Sequence, residues 1–244
     1  MVSKKKRISK KKENLVEQLE DFVKVEIIHR IEKHPPFMSW QGLKSYSTII
    51  LFSVLVFVGL YYWNTAIGVS ESRSINRALG NMAFVFMGFT YVVAPLAVKW
   101  KFYSRFMYWR KYVGMVGFGY LLIHFGWTLL KSPLDRVFAD FGGFGLGLFS
   151  LIIFIFLGVI SNNFALKKIG GLRWRRIQQW GYYGLLFAFA HLFVKSWDDW
   201  AAWLATITTG VAIPPQSLFV FLFGLKVFII RSYFFTFKNP ENVK

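Results

Sequence analysis

Six apolar stretches of about 20 residues dominate the chain, and they constrain its fold more than any other feature. They fall at about 46–67, 78–98, 111–130, 142–161, 178–196 and 216–235. A segment of that length spans the hydrocarbon core as a helix, because only a helix satisfies its own backbone polar groups there. The reading is therefore an all-α polytopic membrane protein with six transmembrane helices. Composition agrees. Of 244 residues, 55% are hydrophobic and 28 are Phe, and no cysteine is present. A soluble enzyme, a disulfide scaffold, a thiolate metal site and an iron–sulfur protein are thereby excluded.

Lysine and arginine set the expected orientation. The first 44 residues hold 11 of the 30 basic residues. Lys99, Lys101, Arg105, Arg110 and Lys111 follow the second segment, and Lys167, Lys168, Arg173, Arg175 and Arg176 follow the fourth. Lys226, Arg231, Lys238 and Lys244 lie in or after the sixth. The other side holds only Arg73, Arg77, Lys131, Arg136 and Lys195, with Glu71, Asp135, Asp140, Asp198 and Asp199. The positive-inside rule puts both termini in the cytoplasm. The net charge of +18 then reports basic loops against anionic membrane lipid rather than nucleic acid.

Three regions follow: a basic cytoplasmic tail over 1–44, the six-helix domain over 45–235, and a cytoplasmic tail over 236–244. Residues 13–33 read as an amphipathic helix with Val16, Leu19, Phe22, Val23, Ile27 and Ile31 on one side, ended by Pro35 and Pro36. It suits a basic anchor on the inner leaflet, or docking to a soluble partner. No dinucleotide fingerprint or P-loop occurs. The pattern suits the inner (plasma) membrane of a bacterium.

Four histidines are present. His29 and His34 lie in the tail, whereas His124 and His191 lie inside the third and fifth segments. Ionisable residues within a membrane are costly and point to function. His124 is 13 residues past Lys111, and His191 is 13 past Gln178. Both then sit roughly 20 Å up helices that run the same way. Two imidazoles at one depth can clamp one metal. Gly114, Gly117 and His124 have the same spacing as Gly181, Gly184 and His191. Each second glycine falls nearly below its histidine and leaves room for a flat apolar ring. Glycines also serve close helix packing, and lone histidines also hydrogen-bond across helices or relay protons. With no cysteine, haem suits the pair better than zinc or copper, and bis-imidazole ligation favours electron transfer.

The segment Arg110-Lys111-Tyr112-Val113-Gly114 through Tyr120-Leu121-Leu122-Ile123-His124, and the segment Trp174-Arg175-Arg176-Ile177-Gln178 through His191, carry a resemblance. With the six-span layout, they resemble the ferric reductase-like transmembrane domain family, over about residues 45–235. Its members include ferric reductases, NADPH oxidases, metalloreductases and the membrane subunit of a methionine-sulfoxide reductase system. The resemblance implies a b-type cytochrome with His124 and His191 as axial ligands. Family members with two haems carry a further histidine where this chain has Gln178, so one haem b is expected.

A haem in the outer half lies far from a cytosolic reductant. A flavin (FMN or FAD) near Arg110, Lys111, Arg175, Arg176 and Gln178, a membrane quinol, or Trp and Tyr stepping stones are the candidate bridges. A separate cytoplasmic reductase or quinol would be the donor. The acceptor at the outer face would be a metal ion, oxygen or a partner reductase. The rival readings are a cofactor-free transporter or channel using the two histidines as a relay, and a non-catalytic structural subunit.

Overall fold

The computed structural model describes residues 40–133, 141–207 and 213–237. The expected amphipathic helix, His29, His34, Asp135, Arg136, Asp140, Lys238 and Lys244 lie outside these residues. Every element of the described residues is helical. It comprises α1 (Trp40–Ala66), α2 (Glu71–Lys99), a 3-10 turn (Lys101–Met107), α3 (Arg110–Lys131) and α4 (Phe141–Ile160). Two short helices, α5 (Asn163–Ile169) and α6 (Gly171–Gln178), precede α7 (Gly181–Ile207) and α8 (Gln216–Phe237).

Five helices are long and apolar enough to cross a membrane: Gly42–Ala66, Glu71–Ala97, Arg110–Lys131, Gly142–Ile160 and Gln216–Tyr233. The protein is a multi-pass membrane protein on this ground. The expected fifth span, α7, is a continuous helix of 27 residues but is not among the five. Its Gly-Tyr-Tyr-Gly start and the polar Lys195, Ser196 and Asp198 dilute its apolar run.

Most of the long helices bury little of themselves. Leu51, Leu55, Leu130 and Val159 are all exposed, as an apolar solvent permits, since lipid competes with neighbouring helices for apolar side chains. The exception is α2, which forms the centre of the bundle. Ala78, Met82 and Val93 on it are almost fully enclosed. One side of α2 meets α1 and α3 through Met82, Phe86, Ile49 and Tyr112. Its other side meets α4, α7 and α8 through Phe84, Met87, Tyr91, Phe154, Leu185 and Val220. Small residues let the backbones approach: a side chain at Gly224 would collide with Phe84 and Phe189.

α7 extends well beyond the boundary read from sequence. Trp197-Asp198-Asp199-Trp200, just past the apolar segment that ends at 196, is helical. Tertiary contacts carry the helix on. Trp200 is buried, its ring lies 4.9 Å from that of Phe221, and its Nε1 donates to Ser217 Oγ at 2.9 Å. Asp199 pairs with Arg77 of α2 at 2.6 Å.

Candidate functional site

Two helical hairpins, α2 with α3 and α4 with α7, make the most extensive helix–helix packing in the chain. Each hairpin presents one histidine from its second helix. The ring centroids of His124 and His191 lie 6.4 Å apart, with planes inclined by 74°. The equal depth inferred from sequence is thus realised as a facing pair.

Each imidazole is fixed in the same way. His124 Nδ1 is 3.0 Å from the carbonyl oxygen of Asn76, and His191 Nδ1 is 2.7 Å from that of Gly143. A carbonyl oxygen only accepts, so Nδ1 of each ring carries the hydrogen. A neutral ring in that tautomer keeps its lone pair on Nε2. This is the outer-shell arrangement that orients a metal-ligating histidine and raises its basicity. Each ring also packs on a glycine one turn beyond the carbonyl. A Cβ on Gly80 would come within 3.1 Å of His124, and one on Gly147 within 3.1 Å of His191.

The two hairpins are related by a constant offset of 67 residues. It links Asn76 to Gly143, Gly80 to Gly147, Gly114 to Gly181, Gly117 to Gly184 and His124 to His191. It extends to packing partners. Gly117 faces Phe86 and Met87, and Gly184 faces Ile153 and Phe154, again 67 residues apart. The site is therefore built twice from one local plan. The first half is further braced, since Asn76 Nδ2 donates to Thr128 Oγ1 at 3.2 Å and Thr128 Oγ1 donates to the His124 carbonyl at 2.9 Å.

The remaining sequence-selected residues fall elsewhere. Gly117 and Gly184 are filled by the neighbouring side chains just named. Gly114 faces Thr90 of its own hairpin, whereas Gly181 faces the Tyr91 hydroxyl from the other hairpin. All four glycines serve close helix contact here. Gln178 donates through Nε2 to Ser161 Oγ at 2.9 Å. Arg110 lies within electrostatic reach of Tyr91, Tyr182 and Arg175. Lys111 and Arg176 are exposed at the same, basic end of the bundle.

The geometry of the pair suits haem. Two imidazoles on opposite sides of one metal, with bonds of about 2 Å, have centroids about 6 Å apart. The observed separation matches, both rings keep Nε2 unengaged by their carbonyl partners, and each ring rests on one glycine. Among the described residues no group of three or more His, Cys, Asp and Glu is placed to hold a metal ion. The donor set is two imidazoles, which suits a metal whose other ligands come from a macrocycle.

The fold and site thus define a multi-pass helical membrane protein with a facing pair of histidines from two helical hairpins. No family model matches the chain. It is 28% identical over 125 residues to magnetosome protein MamZ of Magnetospirillum gryphiswaldense, covering 49% of this chain and 19% of that protein. It is 26% identical over 141 residues to the protein-methionine-sulfoxide reductase heme-binding subunit MsrQ of Brucella anthropi, covering 54% of this chain and 62% of that protein. The chain therefore spans less than two thirds of either relative. Both partial likenesses fit a ferric reductase-like family loosely.

Proposed function

We propose that the protein is a b-type haem membrane protein that carries electrons across the bilayer. The observation that carries this reading is the His124–His191 pair, with each Nδ1 held by a backbone carbonyl and the rings one metal's width apart. The partial likeness to a subunit named as heme-binding supports it. His124 and His191 would hold the iron, and Gly80 and Gly147 would set the position of the rings. Bound haem would supply one-electron chemistry.

The chain's own residues do the rest. The Asn76 and Gly143 carbonyls fix the tautomer and aim of the rings. Phe118, Leu121, Phe154 and Leu185 keep the centre of the bundle apolar. In this reading α7 is the fifth of six spans, and both ends of the chain lie on the cytoplasmic side, which is the basic one. The donor is a separate cytoplasmic reductase or a quinol, and the acceptor lies at the opposite face.

The test is a reduced-minus-oxidised spectrum of the purified protein after expression with ample haem, together with haem content. About one low-spin haem per chain is expected. A haem-free but folded protein would refute the reading, and two haems per chain would refute the single site.

A further inference from the structure

The basic end of the bundle holds a second cluster, centred on Tyr182 of α7. Its hydroxyl donates to the Tyr91 carbonyl at 2.9 Å, and its ring lies 4.9 Å from that of Tyr91. Arg231 of α8 places its guanidinium carbon 4.5 Å from the centre of the same ring. Arg110, at the start of α3, is in electrostatic reach of Tyr91, Tyr182 and Arg175 of α6. Two guanidinium groups, those of Arg110 and Arg231, thus flank one tyrosine, and that of Arg175 lies within electrostatic reach of Arg110.

No carboxylate of the described residues neutralises them. The only described acids are Glu71, Asp198 and Asp199, and all three lie at the opposite end. The contrast with Arg77 is informative, because that partly buried arginine is given Asp199 at 2.6 Å. Like charges held together at a membrane boundary call for an external anion.

From this arrangement we propose that Arg110, Arg175 and Arg231 bind the phosphate of an anionic phospholipid from the leaflet at the basic end. Guanidinium forks match phosphate oxygens in pairs, and stacking on Tyr182 fixes the plane of Arg231 while leaving its N–H edge available. A lipid is favoured over a free phosphate by what adjoins the cluster on α8. Ile229 and Ile230, with Leu96 of α2, line an apolar cleft bordered by Lys99, Trp100 and Tyr233. The Lys99 ammonium lies 4.8 Å from the Trp100 ring and 5.0 Å from that of Tyr233. Cations and amphipathic rings of this kind mark headgroup level, and an apolar cleft just beyond them suits the start of an acyl chain.

The test is native mass spectrometry of the full chain in detergent, titrated with phosphatidylglycerol, phosphatidylcholine, FMN or inorganic phosphate. Phosphatidylglycerol is expected to give a retained adduct that phosphatidylcholine does not. Arg231→Gln and Arg110→Gln should each weaken it by about fivefold. Arg231→Lys, which keeps the charge but loses the fork, should weaken it less. Lys101→Gln and Lys167→Gln remove the same charge from exposed sites and should leave it unchanged. Thermal melting checks that each variant is folded, and Arg231→Lys serves if a glutamine variant is not. Equal weakening by the lysine controls, or equal retention of phosphatidylcholine, would overturn the proposal. FMN or phosphate binding with the same arginine dependence, and no lipid adduct, would overturn the lipid assignment.

Discussion

Adding one methyl group at Gly80 should loosen haem without disturbing the fold. Its Cβ would stand 3.1 Å from His124 Cε1 and 3.2 Å from Nδ1, tighter than ordinary van der Waals contact. The ring would have to withdraw by a few tenths of an ångström. The bond from Nδ1 to the Asn76 carbonyl, 3.0 Å in the structure, opposes that movement. Loss of an outer-shell orienting contact costs about 10–100-fold in metal affinity. That is about 1.4–2.7 kcal/mol. Gly119→Ala, on α3 in open space, is the matched control. It should leave haem unchanged and gain about 0.5–1 kcal/mol of helix stability. The assay is competition for haem by an apo-globin, with the low-spin spectrum followed in parallel. If Gly80→Ala held haem as tightly as the parent with an unchanged spectrum, the cradle argument would be wrong.

Gly147→Ala should behave like Gly80→Ala, because its Cβ meets His191 at the same distance; unequal loss of haem in the two variants would contradict the repeated construction. Gly181→Ala places its methyl against the Tyr91 hydroxyl, so about 1–3 kcal/mol of destabilisation is expected in a denaturation series, whereas Gly59→Ala meets nothing and should cost none. Trp200→Ala removes a buried ring and its bond to Ser217, and about 3–5 kcal/mol should be lost. Asp199→Asn breaks a partly exposed ion pair, and thermal melting should register no more than about 1 kcal/mol.

Sequence reached the histidine pair because an imidazole inside an apolar run is conspicuous and helix rise converts spacing into depth. The layout of long helices followed from the length of the apolar runs. The partners of His124 and His191 were not legible. Asn76 contributes a backbone carbonyl, which any residue could supply, and Gly80 and Gly147 look like any packing glycine. Only the repeated interval of 44 residues to the histidine marks them out. The glycines that sequence selected, Gly114, Gly117, Gly181 and Gly184, share a helix with a histidine, but helix neighbours fill their space. The end of α7 was misplaced for a related reason. Trp197-Asp198-Asp199-Trp200 is too polar to read as span, and the contacts that keep it helical come from Arg77, Ser217 and Phe221 on other helices.

The central claim is that both histidines ligate one iron, and single substitution tests it most directly. His124→Ala and His191→Ala would each be purified as folded protein, and low-spin haem measured by visible and paramagnetic resonance spectra. Loss of the low-spin signal in each variant alone is the predicted result. A full complement of low-spin haem in either variant would contradict the account.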